Sequence, residues 1–301
     1  MPTLHSPADP GIRATAATAS PPGPATAPGA RLPTYFISHG GGPWPWMRDQ
    51  TGGAYDRLAA ALQDMPRQVG RRPRAVLVVS GHWEAEAFTV SSHPHPPMLY
   101  DYHNFPAHTY RVRYDAPGDP ALAAQVRALV SGAGLPAASD AVRGFDHGTF
   151  SPFAVVYPGA DVPIVQLSMR IGYDPAEHLA LGRALAPLRD QDVLIVGSGL
   201  SYHNLRHFGP QARDVSKAFD DWLDRTVVGS TPAARTEGLL RWDAAPAARI
   251  AHPREDHLMP LLVAVGAAEG EAGARVYHEE AFMGGLAVSS FRFGAAAGDP
   301  R

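Results

Sequence analysis

The sequence predicts a single α/β domain built on buried parallel strands, and three observations predict it. Short, continuously apolar, β-branched runs recur along the chain, notably Ala75 to Val79 and Val193 to Val196. They are too short for helices and lack the polar alternation of a strand with one wet face, so they read as strands covered on both sides. Segments of helical spacing alternate with them. Two of these segments follow Asp119-Pro120 and Asp174-Pro175, pairs that supply an N-cap and a first-turn proline. Finally, 301 residues, 45% hydrophobic and 18% charged, are enough for one large core.

Residues 1–30 are dominated by Pro, Ala, Gly and Thr without hydrophobic periodicity. Such a composition cannot offset its ordering entropy, so a disordered tail is expected ahead of a domain over 31–301. The first strand is read in LPTYFIS, followed by the glycine-rich HGGGP, a helix from Asp56 to Met65 and a second strand in RAVLVVS. PPMLYDYHNFPAHTYRVRYDAPGDP reads as a long loop with a short strand around Tyr110 to Tyr114. The helix ALAAQVRALV comes next, then the loop RGFDHGTF, the apolar segment SPFAVVYP, the strand VPIVQLSM and the helix AEHLALGRALAPL. The strand DVLIVGSG precedes two helices, DVSKAFDDWLDRTV and TPAARTEGLLRW. In AHPREDHLMPLLVAVGAAEG a helix is expected to begin near His257 and stop at Gly270, and GGLAVSSFRFG reads as a closing strand.

Composition narrows the function. The chain has no cysteine, which removes disulfides, thiolate metal sites and cysteine nucleophiles and leaves His, Asp and Glu as the strong ligands. A formal charge of -3 and a pI near 6.5, with no Lys/Arg block, argue against nucleic acid as a partner. No apolar stretch approaches the roughly 20 residues that span a bilayer, and the N-terminus lacks a basic region followed by an apolar one. A cytoplasmic protein with no membrane association is therefore expected. Nothing in the sequence indicates an oligomeric state.

The 14 histidines become the feature to explain. Three predicted strands each end in a small-residue turn that delivers one: His39 after LPTYFIS, His82 in SGHWE and His203 in GSGLSYHN. The carboxyl ends of parallel strands share one edge, where ligands bind in open α/β sheets. Neutral imidazoles gathered there would hold zinc or ferrous iron. His257, ahead of an apolar helix, is a fourth candidate able to reach the same crevice. His147, in the loop GFDHGTF, suits a mobile acid, base or hydrogen-bond donor, or else a turn residue paired with Asp146. His5, His93, His95 and His278 read as tail or surface residues, while His103, His108, His207 and His252 stay undecided. SHGGGP lacks the Lys and Ser/Thr of a phosphate loop. Trp44, Trp46, Trp83, Tyr100, Tyr102 and Phe105 flank these positions, as a pocket for a flat apolar substrate would require.

SHGGGP, SGHWE, YDYHNFP with YDAPGDP, GFDHGTFSPFAVVYPGADVPIVQLSM, GSGLSYHN and EDHLMPL occur in this order from about Leu32 to Gly294. Together they resemble the DOPA-dioxygenase type of class III extradiol ring-cleavage enzymes. The resemblance implies one α/β domain with a central mixed sheet and a divalent metal, Fe(II) or Zn(II), held by His39, His82 and His257. It implies His203 as a further ligand or the active-site base, and His147 as a contact to substrate or dioxygen. The implied reaction opens a catechol-type ring beside its two hydroxyls with dioxygen.

Ring opening needs a redox-active ion, because triplet dioxygen reacts poorly with a singlet ring, and it needs groups that move two protons. Many extradiol enzymes use two His and one carboxylate, and the stretch Glu255-Asp256-His257 offers both ligand types. Two alternatives accompany this reading. A zinc hydrolase would use the metal to activate water, and a non-catalytic binding protein on the same scaffold would bind a metal or ligand without turnover.

Overall fold

The computed structural model describes residues 31–299. The predicted tail over 1–30 lies outside the described residues. Eight strands form one sheet in the order β4-β3-β5-β2-β6-β1-β8-β7. The strands are β1 (Thr34–Ser38), β2 (Ala75–Ala85), β3 (Phe88–Ser91), β4 (Ala137–Asp140), β5 (Ile164–Arg170), β6 (Val193–Gly199), β7 (Gly273–Phe282) and β8 (Leu286–Phe293). The four central strands, β5-β2-β6-β1, all pair in parallel, while β8 joins β1 antiparallel and β7 joins β8 as a hairpin. The sheet is thus mixed and largely parallel at its centre, as the apolar runs require: Val76 to Val79 and Val193 to Val196 are wholly buried.

Helices cover both faces. They are α1 (Asp56–Val69), α2 (Pro120–Gly132), α3 (His147–Val156), α4 (Pro175–Leu185), α5 (Arg213–Val227), α6 (Pro232–Leu240), α7 (Ala248–Ala251) and α8 (Met259–Gly266). The Asp-Pro signals act as read: the Asp119 side chain accepts from Leu122 N at 2.9 Å and that of Asp174 from Ala176 N at 2.7 Å. Every residue of α8 is buried, because it is sandwiched between the central strands and α4. Burying each of its Leu and Val side chains is worth about 1.5–3 kcal/mol.

Several local expectations are corrected. No strand forms at Tyr110 to Tyr114; Ala107–Arg111 is a 3-10 turn and the chain then runs extended without a ladder. The segment beginning at His147 is a helix, since Gly148 and Pro152 fall where α3 is enclosed and tertiary packing overrides their weak propensity. The helix near His257 is shorter than expected, starting at Met259 and ending at Gly266. Two short strands, β3 and β4, and the edge strand β7 carry no continuous apolar run and escape the sequence reading.

Candidate active site

The central strand order places β2, β6 and β1 side by side, so their carboxyl ends bring His82, the segment after β6, and His39 to one edge. His39 directly follows β1, and its backbone N–H continues the parallel ladder to Gly199 O at 3.1 Å. His82 lies within β2 rather than after it, in a stretch where pairing with β5 shifts register between Val79 and Glu84. That irregularity frees the strand to turn its side chain inward. His257 arrives from above β6. Gly199 makes this possible, since a Cβ there would sit 2.1 Å from His257 O, a contact only a glycine avoids. Leu200 N donates to the same carbonyl at 3.1 Å and fixes the approach.

Three ring nitrogens converge as a result. His82 Nε2 lies 3.1 Å from His39 Nε2 and 3.2 Å from His257 Nε2. The three residues offer ligand atoms all within 4.8 Å of one another, with no carboxylate in that group. His39 and His257 are almost fully buried. Burial, reinforced by the neighbouring imidazoles, holds His39 and His82 well below the ordinary histidine range, and the same causes lower His257 to about 4. All three are therefore neutral near pH 7.

Ring orientation follows from the other nitrogens. Ser198 Oγ donates to Gly148 O and so accepts from His39 Nδ1 at 3.2 Å, which leaves the His39 Nε2 lone pair free. His82 Nδ1 faces Asp101 Oδ2 at 3.4 Å, and His257 Nδ1 lies 3.1 Å from Asp256 Oδ2 without hydrogen-bond alignment. Three neutral ring nitrogens this close together offer a ready-made donor set for a cation. Two imidazoles bound at about 2.1 Å in a near-tetrahedral site stand roughly 3.4 Å apart, close to the separations found here. The donor set thus fits a divalent ion of the zinc or ferrous class.

His203 is outside that trio. Its ring stacks on His257 with centroids 3.4 Å apart, and its Nδ1 is 3.8 Å from Asp256 Oδ1. Its backbone N–H donates to Ala251 O at 3.0 Å. His147, the first residue of α3, is not in a loop as expected, and its partner is not Asp146. Its ring lies 3.9 Å from that of His82, and its Nδ1 donates to Asp101 Oδ1 at 2.8 Å. Gly148 allows this closeness, since a Cβ there would meet Ser80 Oγ at 2.6 Å and the His82 ring at 3.0 Å. Tyr102 packs edge-on to His147 at 5.9 Å, with Phe105 beyond it, while Trp44 instead stacks on Tyr55 and donates to His39 O.

The sequence reading missed the polar groups behind the imidazoles. Asp101 and Ser198 lie in quoted motifs but advertise no role on their own, and Asp256, a carboxylate that the sequence offered as a ligand type, lies outside the three-nitrogen group and faces His257 Nδ1. Asp146 is fully buried, accepting from Ser80 Oγ at 2.7 Å, Arg143 at 3.0 Å and the Gln166 amide. Ser80 Oγ also accepts from His82 N at 3.2 Å, so this network steadies the β2 turn. Of the remaining histidines, His178 is a buried helix residue bonded to Asp174 O, and His278 is half-buried beside Asp220 rather than on the open surface.

His252 is fully buried between Phe219 and Trp242, donating Nε2–H to Ser201 O at 3.0 Å while its Nδ1 has no hydrogen-bond partner among the described residues. Burial lowers it to about 3, against an unfolded value near 6.5. Between those values the unfolded chain binds the extra proton, so stability rises with pH through this window and is lost on acidification. The urea midpoint of the metal-free protein should fall steeply from about pH 6.5 to pH 4, and less steeply in His252→Gln, which keeps the donor but does not titrate. A flat midpoint over that range would contradict this account.

Similarity to known proteins agrees with the site. The family model described as the catalytic LigB subunit of aromatic ring-opening dioxygenase matches residues 33–294. The chain is 37% identical over 269 residues to "Dioxygenase tasH" of Hapsidospora irregularis, covering 82% of each. It is 34% identical over 265 residues to a 4,5-DOPA dioxygenase extradiol of Beta vulgaris, covering 86% of this chain and 96% of the relative. A crystal structure of the uncharacterized protein JW3007 from Escherichia coli K12 superposes with a TM-score of 0.66 at 28% identity, over 88% of this chain and 100% of that one. Among the described residues no helix is long and apolar enough to cross a membrane.

Proposed function

From the premise that the chain belongs to the LigB family of class III extradiol ring-opening dioxygenases, we propose that it opens a catechol-type ring with dioxygen at a divalent metal held by His39, His82 and His257. The observation that carries this reading is the convergence of three neutral Nε2 atoms at 3.1 and 3.2 Å. Ferrous iron, when bound there, supplies the electron relay that lets triplet dioxygen react with a singlet ring, which zinc cannot supply.

The remaining work falls to the chain itself. His203 has its Nδ1 side toward Asp256 and no hydrogen-bond partner at Nε2 among the described residues, so Nε2 takes the proton of a substrate hydroxyl. His147, with Nδ1 committed to Asp101, presents Nε2 for the second proton transfer, toward the oxygen that enters the ring. Tyr102 and Phe105 supply the aromatic wall beside His147 against which a flat ring can pack. A cytoplasmic location is proposed on the same reading.

The test is oxygen uptake. Protein purified anaerobically and loaded with ferrous iron should consume dioxygen with members of a catechol panel and release a yellow ring-opened semialdehyde. Zinc-loaded protein should not. Iron-loaded protein of verified occupancy that leaves both oxygen and the panel unchanged would sink the proposal, and activity with zinc in the absence of oxygen would point to hydrolysis instead.

A further inference from the structure

We propose that Asp101 is a positioning residue of the ring-opening site, one carboxylate that sets the orientation and tautomer of both His147 and His82. Nothing in the sequence singles it out, since it sits between Tyr100 and Tyr102 in a segment without regular structure. The residue as a whole is exposed, yet its side chain is only 18% exposed and turned toward His147 and His82. Oδ1 accepts from the His147 backbone N–H at 3.0 Å and from the His147 ring Nδ1 at 2.8 Å. Oδ2 faces His82 Nδ1 at 3.4 Å.

The consequence is a matter of donors and acceptors. An ionised carboxylate only accepts, so it requires a proton on the His147 Nδ1 that it bonds and favours one on the His82 Nδ1 that it faces. For His82 this leaves the Nε2 lone pair for the trio; for His147 it leaves Nε2 as the nitrogen that meets substrate. A metal-ligand imidazole braced in this way is the usual outer-shell arrangement. Here the same group also braces an imidazole outside the trio, which ties the position of the proton-transferring ring to that of the ligand ring. Asp256 stands in a similar relation to His257 and His203, but at 3.1 and 3.8 Å without alignment. Asp101 makes the firmer bridge, because its bonds to His147 are aligned, while its contact to His82, like those of Asp256, is one of proximity and charge.

A purely structural role is available, because Asp101 also caps the first turn of α3. Asp146, at the N-cap position of that helix, makes no side-chain cap bond and spends its carboxylate on Ser80, Arg143 and Gln166. A cap needs only an acceptor at the backbone N–H, whereas positioning needs acceptors at both rings. Asp101→Asn separates the two. With the amide oxygen toward His147, the NH₂ faces the His82 Nδ1–H; with the amide reversed, the NH₂ faces the two donors of His147. In either case one ring loses the acceptor that favours its tautomer.

This inference rests on the proposed roles of His82 and His147, so the experiment has two arms. In the metal-free protein, ¹⁵N-histidine NMR at about pH 8, above the ordinary imidazole range, should show Nδ1–H on both rings in the parent. At least one should shift to Nε2–H in Asp101→Asn and both should stay on Nδ1 in Asp101→Glu. In the iron-loaded enzyme, Asp101→Asn should lower kcat about 10–100-fold with KM for the catechol nearly unchanged, the scale of an outer-shell loss, and Asp101→Glu should recover part of it. If Asp101→Asn shifts only the melting temperature, with tautomers and kcat unchanged, Asp101 is a helix cap and the proposal falls. If the iron-loaded parent opens no ring at all, the proposed function fails, and the tautomer arm still decides whether Asp101 orients the two rings.

Discussion

Replacing His39 or His82 by alanine should abolish stoichiometric metal retention, and turnover with it, while the protein still folds. The two nitrogens stand 3.1 Å apart in the trio, and a site left with two imidazoles loses a donor atom and the shape for a divalent ion. The strands that carry them are held by their own apolar residues, so the fold does not depend on either imidazole. Removing one of three crowded, desolvated nitrogens also relieves an unfavourable contact in the metal-free state. The metal-free variants should therefore melt within roughly 2–4 °C of the metal-free parent, the shift that about 1 kcal/mol produces in a domain of this size. Elemental analysis after dialysis, alongside thermal melts, measures both quantities. A variant that keeps one equivalent of metal would remove that histidine from the ligand set. Loss of soluble protein with no dependence on metal would show that the histidines serve packing instead.

What the sequence made legible, and what it hid, follows from how each feature is encoded. The central strands are written in adjacent residues, as unbroken apolar runs, and Asp119-Pro120 and Asp174-Pro175 mark helix starts by local chemistry; both kinds of signal survive folding unchanged. The strand-end histidines were visible because each follows such a run. Asp101 was not, because its role depends on a contact to His147, 46 positions along the chain, that no spacing rule announces. The same holds for Ser198, which orients His39 across 159 positions. The strand expected at Tyr110 to Tyr114 failed for a related reason. Its aromatic and β-branched residues have strand propensity, but no neighbouring edge accepts them, and propensity without a partner does not make a ladder. The start of α3 was hidden by Gly148, a poor helix residue kept there because His82 and Ser80 occupy the space a side chain would need.

The roles of His203 and His147 separate in a pair of substitutions, and both effects should be large. The structure keeps His203 out of the three-nitrogen group and stacks it on His257, so His203→Ala should retain full metal occupancy. His147→Ala should do the same, because His147 lies outside the three-nitrogen group. Each should lose turnover on the order of 10²-fold or more, as expected for removal of a general base or acid. They should differ in what they do before oxygen arrives. Under anaerobic conditions His147→Ala should still draw the hydroxyl proton from bound catechol and give the ultraviolet difference spectrum of the catecholate. His203→Ala should bind the ring without that spectral change at neutral pH, and recover it as the pH is raised toward the range where the substrate ionises unaided. Loss of metal from either variant would make that histidine a ligand. Identical catecholate spectra in both would take the base role away from His203, leaving its stacking on His257 as a packing contact.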